Sequence, residues 1–146
     1  MPTAAKLVGG IILALTATYI TFLFLGIKTT MGVAEELYII NGIIGFLLGW
    51  RSIGRDPGFG GFGSILAGLR GGILFMTTSA IIYGVWVVIL KLERFFIRQF
   101  DDVLVSWFEE TVAYLAVMID PNVLVVLVVG SIASGIGAGF ANRFWV

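Results

Sequence analysis

No cysteine and no histidine occur in this 146-residue chain. Their absence removes disulfides, thiolate and imidazole metal sites, cysteine nucleophiles and any catalytic triad built on a histidine base. Charge is also scarce: Asp, Glu, Lys and Arg make up 12% of the residues, and the net charge is zero. A soluble domain carries roughly a quarter charged residues, and a neutral chain has no basic stripe for nucleic acid. Proline is rare, at three residues.

What is present is apolar. Hydrophobic residues account for 59% of the chain, with a mean hydropathy of +1.06. Residues 7–27, 70–90 and 121–141 form runs of about twenty mostly apolar positions, the length at which a helix crosses the hydrocarbon core of a bilayer. The first run exceeds the roughly 7–15 apolar residues of a secretory signal, so it is expected to stay as a span. None of the runs alternates as the strands of a membrane barrel do.

A shorter apolar segment, 37–53, ends in Trp50 and Arg51, which have the look of an interfacial anchor. It is expected to span with Arg51 snorkelling; a re-entrant segment is the alternative. Residues 92–118 carry many of the charges. On a helical wheel Phe96, Phe100, Val103, Trp107, Thr111, Tyr114 and Met118 fall on one side. Arg94, Arg98, Asp101, Asp102 and Glu109 fall on the other, with Glu110 at the boundary. Such a segment reads as a helix lying in the interface plane, anchored by Arg94, Arg98 and Trp107, while Trp145 anchors the C-terminal end. The expected fold is therefore an all-α membrane protein of about four transmembrane helices plus one amphipathic interfacial helix, all in a single domain.

Orientation follows from lysine and arginine near the span ends. Lys6, Arg51, Arg55, Arg70 and Arg143 share one side, and Lys28, Lys91, Arg94 and Arg98 the other. Eight of the nine acids, all but Asp56, lie on the second side. The reading is a multi-pass protein of the bacterial inner membrane with both termini in the cytoplasm.

The stretch GFGGFG at 58–63 matches G-x-G-x-x-G letter for letter. That motif binds dinucleotides only between a strand and a helix of a βαβ unit. Here it lies between two apolar segments and no acid follows at the required distance, so no cofactor is expected. Residues 54–64 read as a flexible glycine-rich loop.

Two small-residue stripes stand out. Asn41, Gly45 and Gly49 recur every fourth residue, and Gly130, Ser134, Gly135 and Gly139 mark the last span. Small residues at this spacing let helix backbones approach closely, and an asparagine adds an interhelical hydrogen bond. The stripes serve packing within the bundle or contact with another chain. No ionisable residue occupies the middle of a long span, where proton and ion pathways usually need one. Asp120 before Pro121 reads as a helix N-cap.

The start MPTAAKLV (1–8) and the segment INGIIGFLLGWRSIGR (40–55) resemble the TrgA family, small alphaproteobacterial membrane proteins associated with tellurite resistance. The resemblance carries no catalytic residues. It implies a non-enzymatic membrane protein, expected to serve as an accessory or packing subunit of a larger assembly, photosynthetic or respiratory by analogy. The expected partners are the lipid bilayer and other membrane subunits, or further copies of the same chain. The alternative is a small oligomeric transporter.

Overall fold

The computed structural model describes residues 3–28, 34–57, 60–94 and 99–145. In chain order the helices are α1 (Ala4–Ile27), α2 (Ala34–Leu48) continued by a π-helical turn (Gly49–Ile53), α3 (Gly60–Glu93), α4 (Phe100–Met118) and α5 (Pro121–Phe144). In lipid every backbone polar group must be satisfied within the segment, which makes the helix the only open choice for these runs. Hydroxyls inside them follow the same rule. Thr16, Thr21 and Ser64 each donate to the carbonyl four residues back.

The chain is thus an all-α protein, and α1, α3 and α5 are long and apolar enough to cross a membrane. The 24 residues of α1 and of α5 each rise about 36 Å, against a hydrocarbon core of about 30 Å. The 34 residues of α3 rise about 51 Å, so one end projects well beyond such a core. Alone, α2 has 15 residues and falls short.

Contacts between helices give their directions. Along α2, Gly45 faces Ala14 and Ala17 of α1, Gly49 faces Gly9 and Gly10, and Gly54 faces Lys6. Numbers rise on one helix as they fall on the other, so α2 and its π turn run antiparallel to α1 and reach from one end of the bundle to the other. The extra residue in the π turn is accommodated by Gly54 N–H donating to the Gly49 carbonyl at 2.8 Å. Gly49 and Ile53 both end buried.

By the same reasoning α5 is antiparallel to both α1 and α3. Gly130 lies against Thr16 and Ala138 against Gly9, while Ser131 lies against Gly72 and Gly139 against Ser64. The start of α1 and the end of α5 therefore share one end of the bundle, with Lys6, Arg51, Arg55, Arg70 and Arg143. The opposite end gathers the acids.

The core differs between the two ends. At the basic end the core is small: Ala5, Leu13, Ile53, Ala138 and Ala141. Toward the acidic end it contains Phe24, Phe75, Tyr83, Tyr114 and Met118. Glycine and alanine supply close backbone approaches at one end, and aromatic rings fill the core at the other.

Two expectations are corrected here. Residues 60–64, read as loop, are already helix, because the glycines that follow are packing positions rather than hinges. A side chain at Gly68 or Gly72 would collide with Ser131, and one at Gly71 with Ile53. Gly58 and Phe59 lie outside the described residues. The fourth helix, expected at 92–118, begins at Phe100, and its predicted apolar face enters the bundle at Tyr114 and Met118 while Phe100 stays exposed. Ser106, Tyr114 and Met118 are buried in the bundle, and α4 runs back antiparallel along the second half of α3.

Candidate functional site

A group of polar side chains meets where α4 covers α1, α2 and α3. Glu110 of α4 lies between two lysines, 3.2 Å from Lys28 Nζ at the end of α1 and 2.9 Å from Lys91 Nζ near the end of α3. Lys91 also donates to Ser106 Oγ at 2.9 Å, and Lys28 Nζ sits 5.6 Å from the centre of the Tyr83 ring. Burial by itself would raise the carboxyl's pKa. The hydrogen bonds from Lys91 and Lys28 outweigh it and hold Glu110 below its ordinary value.

One turn deeper, Tyr114 closes the space among the helices. Its ring centre is 4.8 Å from that of Phe24 and 4.9 Å from that of Tyr83, and Phe24 meets Tyr83 edge-on at 5.4 Å. Asn41 of α2 donates to Tyr114 Oη at 3.2 Å and to Thr21 Oγ1 at 2.8 Å. Thr21 passes the chain on to the Ala17 carbonyl at 2.8 Å. Asn41 Oδ1 is buried and accepts no hydrogen bond from the described residues. Burial pushes the Tyr114 phenol up to about 12, so it is neutral at any physiological pH.

The chemistry open to this network is limited. Glu110 stays ionised and Tyr114 stays neutral across the neutral range, so neither is tuned as a general acid or base. What the network does well is hold helices. Glu110 joins α4 to α1 and α3, and Asn41 joins α2 to α1 and α4.

The small-residue stripes lie inside the same chain. Asn41, Gly45 and Gly49 face α1; Gly130 and Ser134 also face α1; Gly135 and Gly139 face α3. Ser134 Oγ donates to the Gly9 carbonyl at 2.8 Å. A side chain at Gly135 would run into the Ser64 carbonyl and the Gly68 backbone. Each of these residues thus packs against a neighbouring helix of the same chain.

The anchors divide. Trp50 is half-buried on the π turn against Phe46, with ring centres 5.6 Å apart, and Arg51 beside it is exposed. Trp145 is exposed beyond α5. Arg94 is exposed at the end of α3, and Arg98 lies outside the described residues. Trp107 is half-buried. It packs on Gly84 of α3 and points its indole N–H at the Ile81 carbonyl, 3.4 Å away.

Lys28, Lys91, Glu110, Tyr114 and Thr21 were not singled out in the sequence as site residues. The lone asparagine in an apolar segment was the one strong signal, since its carboxamide had to find partners.

Architecture and site together define an all-α membrane protein whose interior polar groups tie helices to one another. No protein-family model, curated protein or solved structure matches the chain.

Proposed function

We infer that the chain is a non-enzymatic membrane protein that works as an accessory subunit of a larger membrane assembly. The observation that carries this reading is the second apolar face of α4. One face packs on α3, yet Leu104, Val105, Phe108 and Val112 remain exposed on the other, beside the exposed acids Asp101, Asp102 and Glu109. A helix at the charged end of a bundle that keeps a contiguous apolar surface is a candidate for subunit contact. The absence of histidine and cysteine, and a site with no group poised to titrate near neutrality, both weigh against catalysis.

In this reading the basic end faces the cytoplasm of a bacterial inner membrane, following the distribution of lysine and arginine. The resemblance to the TrgA family adds tellurite sensitivity as a phenotype to examine. Any protection would act through the membrane or a partner, because reduction of tellurite needs a thiol or redox cofactor that these residues do not provide.

The test is co-purification in a mild detergent. The wild-type chain is expected to bring down a defined larger complex. Leu104→Glu with Phe108→Glu is expected to abolish that capture while the isolated chain stays helical and monodisperse. Capture that survives the double substitution removes α4 from the interface.

A small oligomeric transporter is a second reading, favoured by one observation: a string of polar groups enters the bundle from Glu110 through Tyr114 to Asn41 and Thr21. Ion flux through liposomes carrying the purified chain, lost in Asn41→Leu, would replace the subunit reading with this one.

A further inference from the structure

At the acidic end of the bundle the last turns of α1 border an open groove of about 790 Å³. Its wall takes Tyr19, Phe22 and Gly26 from α1, Tyr38 from α2, and Asn122 and Val125 from α5. The antiparallel register brings these residues together. Gly130 lies against Thr16, so Asn122, about two turns nearer the start of α5, comes level with the last turns of α1. Tyr19, Phe22 and Val125 are exposed. Among the described residues the wall contains no charged side chain.

Gly26 sets this groove apart from the packed seams of the same helix. Glycine inside a helix costs about 1 kcal/mol relative to alanine, and within α1 the other glycines have a packing reason. A Cβ at Gly9 would press on the Gly49 carbonyl at 3.2 Å, and one at Gly10 on the Phe46 ring at 3.0 Å. At Gly26 a Cβ would meet nothing within 4 Å. No helix of this chain uses the close approach that Gly26 permits, and the open space beside it is the groove itself.

Depth decides what can fill it. The 24 residues of α1 rise about 36 Å, against a hydrocarbon core of about 30 Å. The last turn of α1 therefore lies at the edge of the hydrocarbon, with Tyr19 about 12 Å further in. An apolar groove at that depth is filled by hydrocarbon and not by water. At its mouth, Tyr38 and Asn122 supply an uncharged hydroxyl and a carboxamide. The rim is acidic. Glu35 and Glu36 stand exposed in the first turn of α2, and Glu35, three residues before Tyr38, shares its side of the helix. Residues 29–33 carry no charge, and Lys28 turns its ammonium to Glu110 and the Tyr83 ring.

We propose that this groove holds one acyl chain of an ammonium-headed phospholipid, laid over Gly26, with the ammonium beside Glu35 and Glu36. The second chain stays in the surrounding bilayer. Tyr38 and Asn122 meet the glycerol esters between chain and headgroup. An anionic headgroup would face the same two carboxylates and be repelled. The site belongs to the isolated chain, so its failure would leave the subunit reading untouched.

The experiment uses purified, delipidated full-length chain in a neutral detergent at neutral pH. It is titrated with phosphatidylethanolamine or with phosphatidylglycerol of the same acyl chains, and native mass spectrometry counts what is bound. One phosphatidylethanolamine per chain is expected to be retained in preference to phosphatidylglycerol. Gly26→Leu fills the groove from open space and should weaken retention about tenfold, in the range of an overpacked site, with helicity unchanged. Val125→Trp narrows the groove from an exposed position on α5 and should act in the same direction. Glu35→Gln with Glu36→Gln should lower the preference for phosphatidylethanolamine about fivefold, the effect of one charge near a lipid headgroup. Glu93→Gln, an exposed acid on α3, should change it less than twofold.

Equal retention of phosphatidylglycerol overturns the proposal, as does an equal effect of Glu93→Gln, which would mark a diffuse acidic field. Undiminished retention in Val125→Trp overturns it even where Gly26→Leu fails to fold. A dimer of the delipidated chain that Gly26→Leu converts to monomer would give the groove to a second copy instead of a lipid.

Discussion

Asn41 Nδ2 lies 2.8 Å from Thr21 Oγ1 and 3.2 Å from Tyr114 Oη, so one carboxamide on α2 binds a helix on either side. All three side chains are fully buried or nearly so. An asparagine in an apolar segment has no water to return to, and its loss leaves two hydroxyls with fewer partners. Asn41→Leu is expected to destabilise the folded bundle by about 1–2 kcal/mol, the upper range of interhelical hydrogen bonds in membranes. Tyr114→Phe keeps the ring packing and should cost less. Because the two share one hydrogen bond, the double substitution should cost less than the sum of the singles. Unfolding in mixed micelles, followed by helicity, supplies all three numbers, and strict additivity would break the link drawn between the residues.

Glycine positions in this chain divide by what an added methyl group would meet. At Gly135 it would strike the Ser64 carbonyl and at Gly68 the Ser131 carbonyl, both backbone atoms that cannot swing aside. At Gly26 and Gly61 it would meet nothing within 4 Å. Gly135→Ala is expected to destabilise the isolated chain by a few kcal/mol, in the range of overpacked cores. Gly61→Ala should be neutral or stabilising by up to about 1 kcal/mol from helix propensity. Gly60 differs from both: its φ of +75° is left-handed, and alanine there is strained although space is open. The measurement is thermal unfolding of the purified chain, and a Gly135→Ala protein as stable as Gly61→Ala would mean that α3 and α5 are not in close contact.

Glu110 makes stability depend on acid. Its folded pKa lies below the ordinary 4.5, since two lysines favour the carboxylate. A depressed folded value contributes stability that is present above the unfolded pKa and is lost as pH falls through the folded one. The wild-type melting temperature should therefore hold from neutrality to about pH 5 and drop below pH 4.5. Glu110→Gln should be less stable at pH 7, with Lys28 and Lys91 left facing each other, and should show a smaller further drop in acid. A mutant curve parallel to the wild type would assign the acid transition to other carboxylates.

Much of the architecture was legible in the residues themselves. The three long apolar runs became α1, α3 and α5, because length and lack of charge decide that question almost alone. Asp120 and Pro121 also behave as read: Asp120 Oδ1 accepts from Asn122 N–H at 3.0 Å and opens α5. The glycines were ambiguous. In a soluble chain Gly60 to Gly72 would signal a loop, whereas in lipid the same residues allow backbones to touch, and only the partner Ser131 shows which applies. The wheel of α4 correctly grouped Trp107, Thr111, Tyr114 and Met118, but periodicity cannot say what a face packs on. The Glu110 pairing with Lys28 and Lys91 depends on contacts 82 and 19 residues away in sequence, which no local pattern encodes.

The last prediction concerns sidedness. The geometry places Thr3 and Arg143 at one end of the bundle and Asp102 near the other, separated by spans of about 36 Å. Lysine and arginine favour the cytoplasmic side, and the end that holds both termini has five cations to one acid. The chain contains no cysteine, so a single introduced thiol reports its own location without background. Asp102 is exposed on α4, and Asp102→Cys should react with a membrane-impermeant maleimide added to intact spheroplasts. Thr3→Cys and Arg143→Cys should react only after the membrane is opened. Labelling of all three from outside would show that the bundle lies on the membrane instead of through it. Labelling of the two termini alone would reverse the orientation while leaving the fold intact, and would put the acidic end and the apolar face of α4 in the cytoplasm.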